Sequence, residues 1–95
     1  MHISIAHYQY KPEKYDEMMA FAESILPELR RIKGFRQIVF VRTGETTSAT
    51  HALYASKADA EAATPKIQEL FGRMKDFVTA PPKRETYDVP LFDSV

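Results

Sequence analysis

Apolar positions along this chain alternate between a period of two and a period of three to four. The switches predict the order strand, helix, strand, strand, helix, strand. His2 to Gln9 alternates, with Ile3, Ile5 and His7 on one side and Ser4, Ala6 and Tyr8 on the other. Pro12 suits a first helical position, where its missing N–H costs nothing. From there Tyr15, Met18, Met19, Ala22, Ile25, Leu26, Leu29 and Ile32 form one amphipathic stripe. Pro27 lies inside it and removes the bond to the Glu23 carbonyl, which predicts a kink. Arg30, Arg31 and Lys33 complement the negative end of the helix dipole, and Gly34 is a natural stop.

The second strand spans Phe35 to Arg42, with Phe35, Val39 and Val41 on one face and Ile38 and Phe40 on the other. A polar turn from Thr43 to Thr47 leads to a third strand over Ala49 to Ala55, where Leu53 and Ala55 oppose Ala52 and Tyr54. Ser56 and Asp59 resemble a capping box. The helical stretch through Ala60, Ala62 and Ala63 is interrupted at Thr64-Pro65, which reads as a new N-cap with proline at the first helical position. Ile67, Leu70, Phe71, Met74, Phe77 and Val78 make a second stripe, ended by Ala80-Pro81-Pro82. Lys83 to Val89 alternates as a last strand, and the tail beyond it carries Leu91, Phe92 and Val95.

The fold class expected is α+β, a ferredoxin-like βαββαβ domain with a four-stranded antiparallel sheet, in one domain over residues 1–95. Two helices cover only one face of such a sheet, yet the middle strands are apolar on both. The second face, expected here to be the one bearing Ala52 and Tyr54, calls for a cover, and the simplest is a second copy of the chain. A domain of 95 residues buries only about two thirds of its unfolded surface, so a homodimer would relieve that shortage.

Composition narrows the chemistry. Thirteen basic and thirteen acidic residues cancel, which removes the field that steers a protein to nucleic acid or anionic lipid. There is no cysteine, hence no disulfide framework and no thiolate nucleophile. Met1 to Gln9 lacks the pattern of a signal peptide, and the longest apolar run, Met18 to Ala22, is too short to span a membrane. A cytoplasmic protein that engages neither membrane nor nucleic acid is expected. Lys33 to Phe40 resembles an RNA-recognition signature. That signature belongs on the third strand, however, and Gln37 stands where a stacking aromatic is needed. No glycine-rich phosphate loop is present, and three histidines without HxH or HxxxH spacing argue against a metal site, so no cofactor and no metal are expected.

The order of these elements resembles the antibiotic biosynthesis monooxygenase family, whose ferredoxin-like domains pair into dimeric α/β barrels. The local echoes are Leu26-Pro27-Glu28-Leu29 leading to Lys33-Gly34-Phe35, then Tyr54-Ala55-Ser56-Lys57, then Thr64-Pro65. The Tyr54 position is often tryptophan in the family. The resemblance implies a dimer with a pocket between sheet and helices in each subunit. It covers cofactor-independent oxygenases, quinol oxygenases, haem-degrading enzymes and members of no known activity. The haem-degrading residues are missing: their asparagine, tryptophan and histidine positions fall on His7, Ala63 and Arg73, and Lys66 stands where other relatives have a histidine. Arginine does not ligate iron as neutral imidazole does.

Candidate site residues follow from position and from this resemblance. His7 continues the Ile3–Ile5 face, which the resemblance turns toward the pocket, and an imidazole there could serve as a general base. The plainer alternative is a half-exposed histidine at a strand end. Arg73 or Tyr87 could steady developing oxyanion charge, although Arg73 also suits a solvated helix face. Ile5, Tyr54, Phe71 and Met74 are the expected substrate-binding residues, with Tyr8 and Tyr10 as further phenols. His51 and His2 read as structural, and the methionines as core filler. The functional expectation is a cofactor-independent monooxygenase acting on an electron-rich aromatic or quinol. The alternative is a non-catalytic module binding a small aromatic or apolar ligand on the same scaffold.

Overall fold

The computed structural model describes residues 1–95. Four strands, β1 (His2–Gln9), β2 (Phe35–Arg42), β3 (Thr47–Tyr54) and β4 (Lys83–Asp88), form one antiparallel sheet in the order β2-β3-β1-β4. Helices α1 (Tyr15–Ser24) and α2 (Leu26–Arg30) join β1 to β2, while α3 (Lys57–Ala62) and α4 (Thr64–Arg73) join β3 to β4. This is the expected α+β, ferredoxin-like βαββαβ order.

Local chemistry sets the boundaries. Pro12 opens a short 3-10 turn before α1, and the first helical region breaks at Ile25, two residues ahead of Pro27. Gly34 turns the chain into β2 with φ of +77°, and a Cβ there would collide with the Asp59 carboxylate, so glycine suits the position. The Ser56 hydroxyl caps α3 by accepting from the Asp59 N–H at 3.1 Å. Thr64 does not act as the expected cap of α4; its hydroxyl instead accepts from Arg84 Nη1 at 3.0 Å.

The register settles which face the helices cover. His2, Ser4, Ala6 and Tyr8 of β1 pair with Tyr54, Ala52, Thr50 and Ser48 of β3. Ala52 and Tyr54 pack in one core cluster with Ile25, Leu29, Ala60, Ala63, Ile67 and Leu70. Tyr8, Tyr10, Met18, Met74 and Val78 form a second cluster at the other end. The face bearing Ala52 and Tyr54 is therefore the covered one, contrary to the sequence expectation. The opposite face carries Ile3, Ile5, His51, Leu53, Val39, Val41 and Tyr87, with Val39 43% and Tyr87 47% exposed.

A β-bulge between Phe35 and Gln37 shifts the β2 register. Phe35 then pairs with Tyr54 and packs on the covered face beside Ile38, rather than sharing a face with Val39 and Val41. Its ring meets that of Tyr54 edge-on at 5.8 Å.

Candidate functional site

Small side chains at the centre of the covered face leave room beneath the helices. Ser4, Ala6, Thr50 and Ala52 line a cavity of about 50 Å³ at the seam between the two core clusters. Fifteen of its eighteen lining residues are hydrophobic, so water inside would find few partners. Met18, Phe21, Ile25, Leu29, Ile67, Leu70, Phe71 and Met74 roof it. The volume is smaller than a single aromatic ring needs, so any such ligand requires the flexible side chains of Met18, Met19 and Met74 to move.

Polar groups enter this apolar space at few points. Tyr8 Oη and Thr50 Oγ1 lie 3.3 Å apart, one donating to the other. Arg84 reaches in from β4, on the register row of Ala6. Its Nη1 donates to Thr64 Oγ1 and its Nη2 to the Ala60 carbonyl, each at 3.0 Å, while its buried Nε–H has no partner. No carboxylate pairs with it. A partly buried guanidinium held only by neutral oxygens is an unneutralised positive charge at the edge of an apolar cavity.

Of the residues expected at the site, Phe71 and Met74 line this cavity, as does Tyr8, one of the two further phenols. The others are elsewhere. His7 and Ile5 lie on the open face, because β1 presents its even-numbered residues to the helices. Tyr87 shares that open face, 47% exposed, and donates a hydrogen bond to the Glu85 carboxylate, which raises the pKa of its phenol. Tyr54 is fully buried against Phe35, with its hydroxyl unpartnered, and is not among the cavity-lining residues.

Arg73 is engaged on the outer surface of α4. It grips Glu28 of α2 in a two-pronged contact at 2.9 and 3.2 Å and also bonds Glu69, while Lys66 joins Glu28 at 2.8 Å. Hydrogen bonds from Arg73 and then Lys66 hold the Glu28 carboxyl at a pKa of about 2, and the same partners lower that of Glu69. This cluster ties α2 to α4 above the cavity.

Sequence reasoning missed Arg84, Thr50 and Ser4. β4 is polar on both faces, so alternation there carries no sign of which side chains turn inward. The usable signal lay in the small residues Ser4, Ala6 and Ala52, since small side chains facing helices mark either close approach or a void. No group of three or more histidines, aspartates or glutamates is placed to hold a metal ion.

No family model and no curated protein matches the sequence. Solved structures do match its shape. One assigned to the antibiotic biosynthesis monooxygenases, from Nitrosomonas europaea, superposes with a TM-score of 0.78 at 16% identity, covering 96% of this chain and 100% of that one. A monooxygenase from Streptomyces coelicolor, bound to nanaomycin D, gives 0.74 at 16% identity over 98% and 92% of the two chains. The fold is that of the antibiotic biosynthesis monooxygenases. A cofactor-independent oxygenase from Streptomyces nogalater, with a TM-score of 0.70 at 10% identity over 96% and 94%, shares the monooxygenase scaffold. At such identities the likeness concerns the backbone, and the chemistry has to be argued from this chain's own cavity.

Proposed function

We propose that the chain is a cofactor-independent oxygenase of an electron-rich phenol or quinol, which binds with its acidic oxygen at Arg84. The observation that carries this reading is the partly buried, unneutralised guanidinium of Arg84 beside an otherwise apolar cavity. A cation there lowers the pKa of a bound phenol, so the proton passes to solvent and the phenolate stays paired with Arg84. His7 is too far around the sheet to serve as the base for a ligand in this cavity, and no other histidine or carboxylate lines it.

The phenolate gives one electron to dioxygen, and the aryloxyl and superoxide radicals combine at a ring carbon bearing hydrogen. Protonation of the peroxide and loss of water then leave a quinone, with one oxygen atom in the product and one in water. All four electrons come from the substrate. Tyr8 and Thr50 are placed to donate a hydrogen bond to the peroxide, and the apolar lining keeps bulk water from the radical pair.

A second copy of the chain completes the molecule in this reading. The open sheet face carries Ile3, Ile5, Val39 and Val41, each at least partly exposed, and the tail leaves Leu91 86% exposed. Pairing these faces buries them and builds a dimeric barrel, while each subunit keeps its own cavity beneath its helices. No helix is long and apolar enough to cross a membrane, so these surfaces are not offered to one as a spanning helix.

Oxygen uptake with a panel of anthrones and hydroxynaphthols tests the reading. Arg84→Gln should lower the rate ~10²-fold or more, as removal of an oxyanion-stabilising donor does elsewhere. The absence of a base from the cavity also favours a second reading, a non-catalytic module for phenols. Binding without oxygen uptake by the wild-type protein would select it.

A further inference from the structure

We infer that the ligand enters at the β2 edge, where Arg30 and Arg36 select molecules carrying a carboxylate at the end remote from Arg84. This inference rests on the reading of the cavity given above and adds the substrate class. A groove of about 500 Å³ runs between the first helical layer and β2, and it shares Met19, Ala22, Ile38 and Phe40 with the inner cavity. The two spaces thus share a wall, and movement of the flexible Met19 side chain would join them.

The charge of the groove differs from that of the inner cavity. Arg30, from the end of α2, and Arg36, from β2, both line it, and neither takes part in an ion pair. Glu23 is the one carboxylate on its wall, and it too is unpaired, so the groove keeps a net positive charge. Arg36 owes its place to the bulge: it is the extra residue between Phe35 and Gln37, set on the edge strand beside the groove. Glu28, the one carboxylate of α2, is already held by Arg73 and Lys66.

Sheet geometry adds a length. Arg36 stands on one edge strand and Arg84 on the other, three interstrand spacings apart. Arg84 shares the row of Ala6, Thr50 and Phe40, so Arg36 is also offset along β2, and the two backbones lie roughly 20 Å apart before their side chains reach inward. A ligand that meets both cations is elongated, with a phenolic oxygen at one end, an apolar or aromatic body through the seam, and a carboxylate at the other. A fused-ring hydroxy acid has this shape.

Binding of a hydroxynaphthoate, with hydroxyl and carboxylate at opposite ends, should be compared with its neutral hydroxynaphthamide by fluorescence titration of the whole chain. The wild type should favour the acid by about fivefold at low salt, the scale expected of two exposed charge contacts. Replacing Arg30 and Arg36 together by Gln should abolish that preference while leaving the amide's affinity unchanged. Glu23→Gln should increase it. Equal affinity for acid and amide, or a preference that survives in the Arg30→Gln, Arg36→Gln protein, overturns the inference and leaves the role of Arg84 standing. If neither molecule binds, both the inference and the cavity reading fall.

Discussion

The two faces of the sheet are built from opposite materials. The face under the helices carries small or polar side chains at its centre, namely Ser4, Ala6, Thr50 and Ala52, with bulk supplied by the helices. The open face carries the larger aliphatics Ile3, Ile5, Val39 and Val41, which stay at least partly exposed. A covered face of small residues leaves a cavity, because helices pack no closer than their own side chains allow. An open face of large residues asks for a partner. In the reading proposed above, one sheet separates a site for a ligand from a site for a second subunit.

Substitutions on the two sides should part accordingly. Leu29→Ala, at a position 2% exposed in the main cluster, should lower stability by about 2–5 kcal/mol in chemical denaturation. A loss much under 1 kcal/mol would mean that the helical layer is loosely packed. On the open face, Val39→Asp together with Ile5→Asp should halve the mass seen by light scattering. Phenol binding should persist, since the cavity lies on the other side. An unchanged mass would remove the open face as the subunit interface.

Two smaller effects probe the helical layer alone. Ser56→Ala should cost about 1 kcal/mol, by loss of the hydrogen bond to the Asp59 N–H. The Glu28 cluster should show itself in acid. Its carboxyl is lowered from 4.5 to about 2, so the stability it provides is complete above the unfolded value and disappears as pH falls from about 4.5 toward 2. Thermal midpoints of the wild type and Glu28→Gln, read across that window, should converge at its acid end. A gap as wide at pH 2 as at pH 7 would contradict the assignment.

Much of the architecture was readable because single residues enforce it. Pro12, Gly34 and Ser56 each act through their own backbone or hydroxyl, and each stands at the boundary that sequence reasoning gave it. The facing of the strands was not readable. Alternation in β1 separates Ile3, Ile5 and His7 from Ser4, Ala6 and Tyr8, but it does not say which set the helices cover. Larger aliphatics look like core, which drew attention to His7 and away from Tyr8. The bulge at Arg36 is a matter of pairing with β3, so the phase of Phe35 could not be counted from β2 alone. Arg84 alternates with other polar residues and becomes distinct only when its register with Ala6 is known.

The central claim is that ligand and partner occupy opposite faces, and methyl NMR tests it in one titration. With 2-naphthol added to the protein, the account predicts shifts for the methyl groups of Met18, Met19 and Met74, which border the cavity. Those of Ile3, Ile5 and Leu53 on the open face should stay in place. Shifts confined to Ile3, Ile5 and Leu53, with the methionines unmoved, would contradict it.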